Sequence, residues 1–309
     1  MSKGQIDGKR KSAERTTRGR IIYPASWNGC SKLLCSKLLC VVLGVLGGFV
    51  SIYSGEAVAE AGWEPAPRFA DADQAYLERA DSARAIFANE RYEALYRADP
   101  EDWQAAWRLA MTCYFLGNRV ATQKPEKEAF FVQGRDAALE ATKLKPDCAP
   151  CHLLVGVNTA LYAESVGVVK MIFTLRSIRR HLRRSLELDP AFAEGAAART
   201  LGTIDHAVPF FLGGSSKRAQ KYYQRALDID VEEPLNYLFY AYFLESRREL
   251  GAALELTERG LEQPRPGLER LESRDGWDRL ERLKAKLQKR IQEAVKPARR
   301  LRPGHKRRY

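Results

Sequence analysis

From about Asp73 to Val295 the apolar positions recur every three or four residues, the spacing of one face of an α-helix, and nowhere alternate as they would along a strand. The last stretch is the clearest. Trp277, Leu280, Leu283, Leu287 and Ile291 share one helical face, and charged residues fill the other. Before it the helical segments come in pairs, and one phrase recurs where a pair closes: a helix tail that stops at proline. It runs from Glu140 to Pro146, again from Ser185 to Pro190, and an earlier copy ends at Asp99-Pro100. A later copy, Ala219 to Asp230, ends at Val231 without the proline. Pro100, Pro146 and Pro190 stand 46 and 44 residues apart. A recurring helical pair of about this length cannot bury its apolar face alone, so the pairs must stack. The predicted fold is therefore all-α, a helical-hairpin solenoid over residues 73–295. The helix bearing Trp277 closes its open end as a C-terminal cap, with coiled-coil pairing of that helix as the alternative.

Small residues mark where the two helices of a pair, A and B, approach each other. From Ala241 to Ala253 the step is 12 residues, whereas from Gly202 to Ala219 it is 17, from Gly156 to Ile178 it is 22, and from Ala110 to Gly134 it is 24. Three successive pairs thus carry extra residues between A and B, which predicts enlarged A–B turns along one edge of the stack. Insertions on one edge commonly build a binding face. The first, Asn118 to Pro125, is polar. The second, Val166 to Phe173, is apolar and includes Val168, Ile172 and Phe173. The third runs from Asp205 to Ser216 and contains Pro209, Phe210, Phe211, Leu212, Gly213 and Gly214. Val168, Ile172, Phe210 and Phe211 either pack beneath the longer hairpins as added core or form an apolar cleft or partner patch. Gly213-Gly214 reads as a tight turn and Ser215 or Ser216 as the cap of the next helix.

The pairs resemble tetratricopeptide repeats, with Leu109-Ala110, His152/Gly156, Leu201-Gly202 and Tyr240-Ala241 at the helix A positions. Ala141, Leu182, Ala219/Tyr223/Ala226 and Ala253/Gly260 stand at those of helix B. Over about residues 100–265 the chain further resembles the T component of TRAP transporters (the TatT-type family). The likeness rests on Leu161-Tyr162-Ala163-Glu164 followed by Gly167, on Leu188-Asp189-Pro190, on Leu201-Gly202 and above all on Pro209 to Ser215. That resemblance implies a periplasmic helical protein that self-associates, docks to the solute-binding subunit of a transporter and holds a hydrophobic small molecule. A general cell-envelope scaffold with unrelated partners is the alternative.

The net charge of +12 is carried wholly by the two ends, residues 1–20 and 296–309, so the body between them is balanced. This excludes a phosphate-binding face spread over the protein and argues against a nucleic-acid partner. The basic start is followed by an apolar run from Leu38 to Tyr53 and by Ala57-Val58-Ala59, the pattern of a secretory signal over residues 1–59. An uncleaved anchor through residues 38–53 is the alternative, and either one exports the body to the periplasm, free or attached to the inner membrane. Residues 60–72, rich in Pro and Gly, read as a linker, and 296–309 as a basic tail.

Cys148-Ala149-Pro150-Cys151-His152 has the C-x-x-C-H spacing of c-type haem attachment, in which two thiols bond the vinyl groups and the histidine ligates iron. A mono-haem electron carrier is thus an alternative from another class, with Met171, His181 or His206 as distal ligand. A Cys148–Cys151 disulfide or redox pair, or plain packing at a helix start, competes with it. No G-x-S-x-G, H-E-x-x-H or P-loop occurs, and the four histidines are scattered, so the expectation is a protein without catalysis or metal. Arg176, Arg179, Arg180, Arg183 and Arg184 form a basic helix face, which is either solvated or turned to an acidic partner.

Overall fold

The computed structural model describes residues 66–295, and the signal or anchor segment, Cys30, Cys35, Cys40 and the basic tail lie outside them. Among the described residues there is no strand. The helices are α1 (Ala70–Leu77), α2 (Ser82–Ala98), α3 (Trp103–Phe115), α4 (Lys124–Leu144), α5 (Ala149–Val166), α6 (Val168–Leu188), α7 (Ala196–Ala207), α8 (Ser216–Ile229), α9 (Pro234–Ser246), α10 (Leu250–Leu261) and α11 (Leu271–Val295). Each packs on the next, and α11 lies across α9 and α10. The A–B pairs are α3/α4, α5/α6, α7/α8 and α9/α10.

The helix tails end alike for a local reason. Asp99, Lys145 and Asp189 each follow a helix in extended backbone, with ψ of 90°, 83° and 97°, because a residue before proline is pushed out of the α region. Asp230 adopts the same conformation, ψ 107°, with Val231 after it. Its carboxylate accepts the amide hydrogens of Glu232 at 2.8 Å and Glu233 at 3.1 Å, the same side-chain turn that Asp99 and Asp189 make ahead of their prolines, so here the turn forms without one. The helices that follow are capped in turn: Asp102 accepts from the Gln104 amide at 2.9 Å, and Glu233 from that of Leu235 at 3.0 Å.

The small residues meet their partners. A Cβ on Gly156 of α5 would lie 2.6 Å from the Leu182 side chain of α6, so the two helices touch closely only because that position is bare. Leu280, Leu283 and Leu287 of α11 are buried against the last pair, which makes α11 the expected cap and leaves that face unavailable for a coiled coil. The surplus between A and B helices lies at the expected end of the three oversized pairs but takes three forms. In α5/α6 the turn is Gly167 alone, with φ 128°, and the extra residues lengthen both helices; in α3/α4 they form a π-helical turn, Leu116–Val120, and a 21-residue α4. A true enlarged loop occurs in α7/α8. Of the linker expected over 60–72, the described part is structured: Pro67–Phe69 is a 3₁₀ turn, and Phe69 is fully buried beneath the Arg108 guanidinium, 4.2 Å from its ring.

Candidate functional site

The loop 208–215 is built from the backbone outward. Pro209 fixes its own φ at −57° and starts a 3₁₀ turn over Phe210–Leu212. The amides of Leu212 and Gly214 both donate to the Pro209 carbonyl, each at 3.0 Å, and that of Gly213 to Phe210 at 2.9 Å. Gly213 is left-handed, φ 87°, and a Cβ on Gly214 would sit 1.6 Å from the Val208 oxygen, so both glycines are required by the path. Ser215 caps α8, its Oγ accepting from the Arg218 amide at 3.3 Å. Beneath the loop lies the buried carboxylate of Asp205. It accepts from Arg179 at 2.7 Å and from Arg218 at 2.8 and 3.0 Å, and both guanidiniums also donate to the Gly213 carbonyl, at 3.0 and 2.5 Å. The Ser215 amide donates to the Asp205 carbonyl at 2.9 Å.

This clamp holds two aromatic side chains out of the core. Phe210 is 85% exposed and Phe211 66%, with their rings edge to face at 5.6 Å. Leu212 and Pro209 are half-buried. Added core, one of the two readings of these residues, is therefore not their role. At the preceding hairpin Phe173 is 82% exposed, and Ile172 and Val169 are exposed beside it, while Met171 and Leu175 point to the core. Val168 begins α6 after Gly167, and its side chain lies outside the described set. The polar first insertion does something else: Arg119 pairs with Asp275 at the start of α11.

Cys148 and Cys151 form a disulfide at the N-terminus of α5, where Sγ of Cys148 also accepts from the Cys151 amide at 3.1 Å. Both ring nitrogens of His152 have protein partners. Its Nε2 lies 3.1 Å from the Pro146 carbonyl and its Nδ1 2.9 Å from Nδ1 of His181. A carbonyl only accepts, so Nε2 of His152 carries the hydrogen and its Nδ1 accepts from His181, whose Nε2 then accepts from Arg180 at 3.3 Å. Burial holds both imidazoles neutral: it lowers His152, and it lowers His181 to about 4 with the help of His152 and Arg180. The residues do not fit haem attachment, because both sulfurs are bonded to each other, both cysteines are buried, and the histidine nitrogens are spoken for. Of the arginine run, Arg179 turns inward to Asp205, while Arg176, Arg180, Arg183 and Arg184 stay exposed.

The whole arrangement is similar to the crystal structure of a thermophilic TPR protein from Thermus thermophilus. The TM-score is 0.51 at 17% sequence identity, over 67% of this chain and 98% of that one. The fold is a tetratricopeptide-type solenoid. Residues 68–196 of the solenoid also match the model of a family described as regulator of microtubule dynamics protein 1-3, fewer than half of the chain's 309 residues. No curated protein matches the chain. A solenoid of this kind suits interaction with other proteins.

Sequence reasoning singles out the Pro209–Gly214 phrase and the arginine run separately and misses what joins them. Asp205 reads only as the start of an insertion, and nothing in the repeat spacing picks out Arg218. The available signal is that Asp205 is the lone acid on α7, with an arginine one helix earlier and another one helix later.

Proposed function

We propose that this protein is a non-catalytic, exported scaffold that docks a partner protein through Phe210 and Phe211 of the loop 208–215. One observation carries the reading: Phe210 and Phe211 stand in solvent on a loop that two glycines and a buried ion-pair clamp make rigid. Exposed aromatics forfeit burial worth about 2 kcal/mol each. A loop already held in shape loses little entropy when a partner covers it, which is what an interface anchor requires. Both phenyl rings face open solvent, which favours a protein surface over an enclosed hydrophobic small molecule.

The resemblance to TRAP T components makes the solute-binding subunit of such a transporter the first partner to try. The match over residues 68–196 to a family described as a regulator of microtubule dynamics supports a second reading, in which the partner is tubulin. The paired experiment immobilises the full chain and offers a purified TRAP solute-binding subunit in one arm and polymerised tubulin in the other. Phe210→Ser/Phe211→Ser is expected to keep the melting temperature of the parent and lose at least about tenfold in binding to whichever partner is captured. Equal binding by the variant, or its unfolding, would sink the docking role of the loop. Export is checked separately: the mature chain purified from the envelope is expected to begin at Glu60, and recovery of the intact chain in the cytosol would defeat that part.

A further inference from the structure

One face of α6 is spent on the core: Met171, Leu175, Ile178, Leu182, Ser185 and Leu186 are buried at helical spacing. The opposite stripe is exposed and has two ends of different chemistry. It begins with Val169 and Phe173 and continues with Arg176, Arg180, Arg183 and Arg184. These four arginines border a groove of about 900 Å³ floored by His152 and His181, with Phe173 at one end. Glu187 is the acid on its lining, 3.7 Å from Arg184; among the described residues Arg176, Arg180 and Arg183 form no ion pair.

Like charges three and four residues apart on a helix repel, each pair costing a few tenths of a kcal/mol. All four lie before the last turn of α6, so the helix dipole does not relieve the repulsion. A polyanion lying along the stripe would remove that repulsion. His181, buried, and His152, half-buried, lie beneath it with their titration pushed down by desolvation, so they add no charge of their own near neutral pH.

We propose that this stripe is a second docking site, independent of the loop 208–215, and that its occupant is an acidic peptide segment with an apolar residue at one end. The arginines from 176 to 184 span about 12 Å at 1.5 Å per residue. Alternate side chains of an extended peptide stand about 6.7 Å apart, close to the 5.4 Å rise between helical turns, so two or three carboxylates spaced two residues apart can each meet an arginine. Planar carboxylates suit guanidinium forks. The apolar end then packs on Phe173. A single phosphate would engage too few of the arginines to use the row. A nucleic acid would need a cationic surface beyond the groove, and the body of the chain outside its termini carries no net charge.

The test uses the full-length protein and a fluorescent twelve-residue peptide of alternating glutamate and serine ending in phenylalanine, read by anisotropy. The expected result is saturable binding that weakens with salt, with about a tenfold or greater loss in Arg180→Glu/Arg183→Glu. Phe173→Ser is expected to weaken that peptide severalfold while leaving a phenylalanine-free version unchanged. Should the charge reversal disturb folding, Arg176→Gln/Arg183→Gln removes the charges more gently and is expected to lose binding at an unchanged melting temperature. Capture of the loop's partner should survive all of these variants, which separates this site from the first. The proposal is overturned if the wild-type protein does not bind the peptide, if the arginine variants bind it equally, or if inorganic phosphate, anionic vesicles or RNA occupy these arginines in place of the peptide.

Discussion

Asp205 sits buried at the root of the exposed loop, and its charge is matched from two sides. Arg179 is itself largely buried, while Arg218 is about half exposed, so the two ion pairs are not equivalent. A hydrogen bond to a charged group contributes about 1.5–3 kcal/mol when buried, and exposed pairs contribute under about 1 kcal/mol. Asp205→Asn is therefore expected to lower the unfolding free energy by about 2 kcal/mol and to speed amide exchange at Gly213 and Gly214. Arg218→Gln should cost less than half as much. Urea denaturation and hydrogen exchange on the two variants check both statements, and equal effects would mean that the clamp is not divided as described.

At the scale of single elements, α5 and α6 carry a pH response. A histidine in the unfolded chain titrates near 6.5, whereas His181 in the folded protein is held at about 4. Between those values the unfolded chain binds a proton that the folded one refuses. Stability is thus full above about pH 6.5 and falls as the pH is lowered toward 4. Denaturant midpoints at pH 7, 5.5 and 4.5 are expected to drop in that order, and His181→Asn should flatten the drop. The elements themselves were legible because their causes are local. Proline after Asp99, Lys145 and Asp189 ends three helices, and small residues such as Gly156 mark where helices touch. Counting residues between such marks showed where the pairs are oversized. It could not separate a longer helix from a longer turn, since both add the same number of residues, so α5/α6 was expected to have a swollen turn where Gly167 suffices. The C-x-x-C-H spacing suggested haem for a similar reason: the sequence brings three reactive groups together, and the contact with His181 that redirects the histidine comes from the next helix.

Across the whole molecule, the start of α11 does more than cap. Arg79 and Glu272, 193 residues apart, form a buried ion pair at 2.6 Å, and Arg119 joins Asp275 next to it. Arg270 and Ser273 meet the buried Glu233 at 3.0 and 2.8 Å. No periodicity announces such pairs, because each depends on the curvature accumulated over several repeats. Removing one partner of a buried pair costs about 3–5 kcal/mol, while replacing both with apolar residues of similar size is often neutral. Glu272→Ala is expected to fall in the first range and Arg79→Met/Glu272→Leu close to the parent. Equal losses in the two variants, measured by denaturant unfolding, would show that the pair is not the tie described here.

An untied stack of hairpins extends under tension like a spring, since each repeat is held only by its neighbours. The Arg79–Glu272 contact closes that spring on itself. A pull applied across residues 79 and 272 loads this two-bonded fork, with Arg119–Asp275 beside it, before the hairpins between them. This solenoid is therefore stiff up to the force that parts a guanidinium from a carboxylate, and compliant only beyond it.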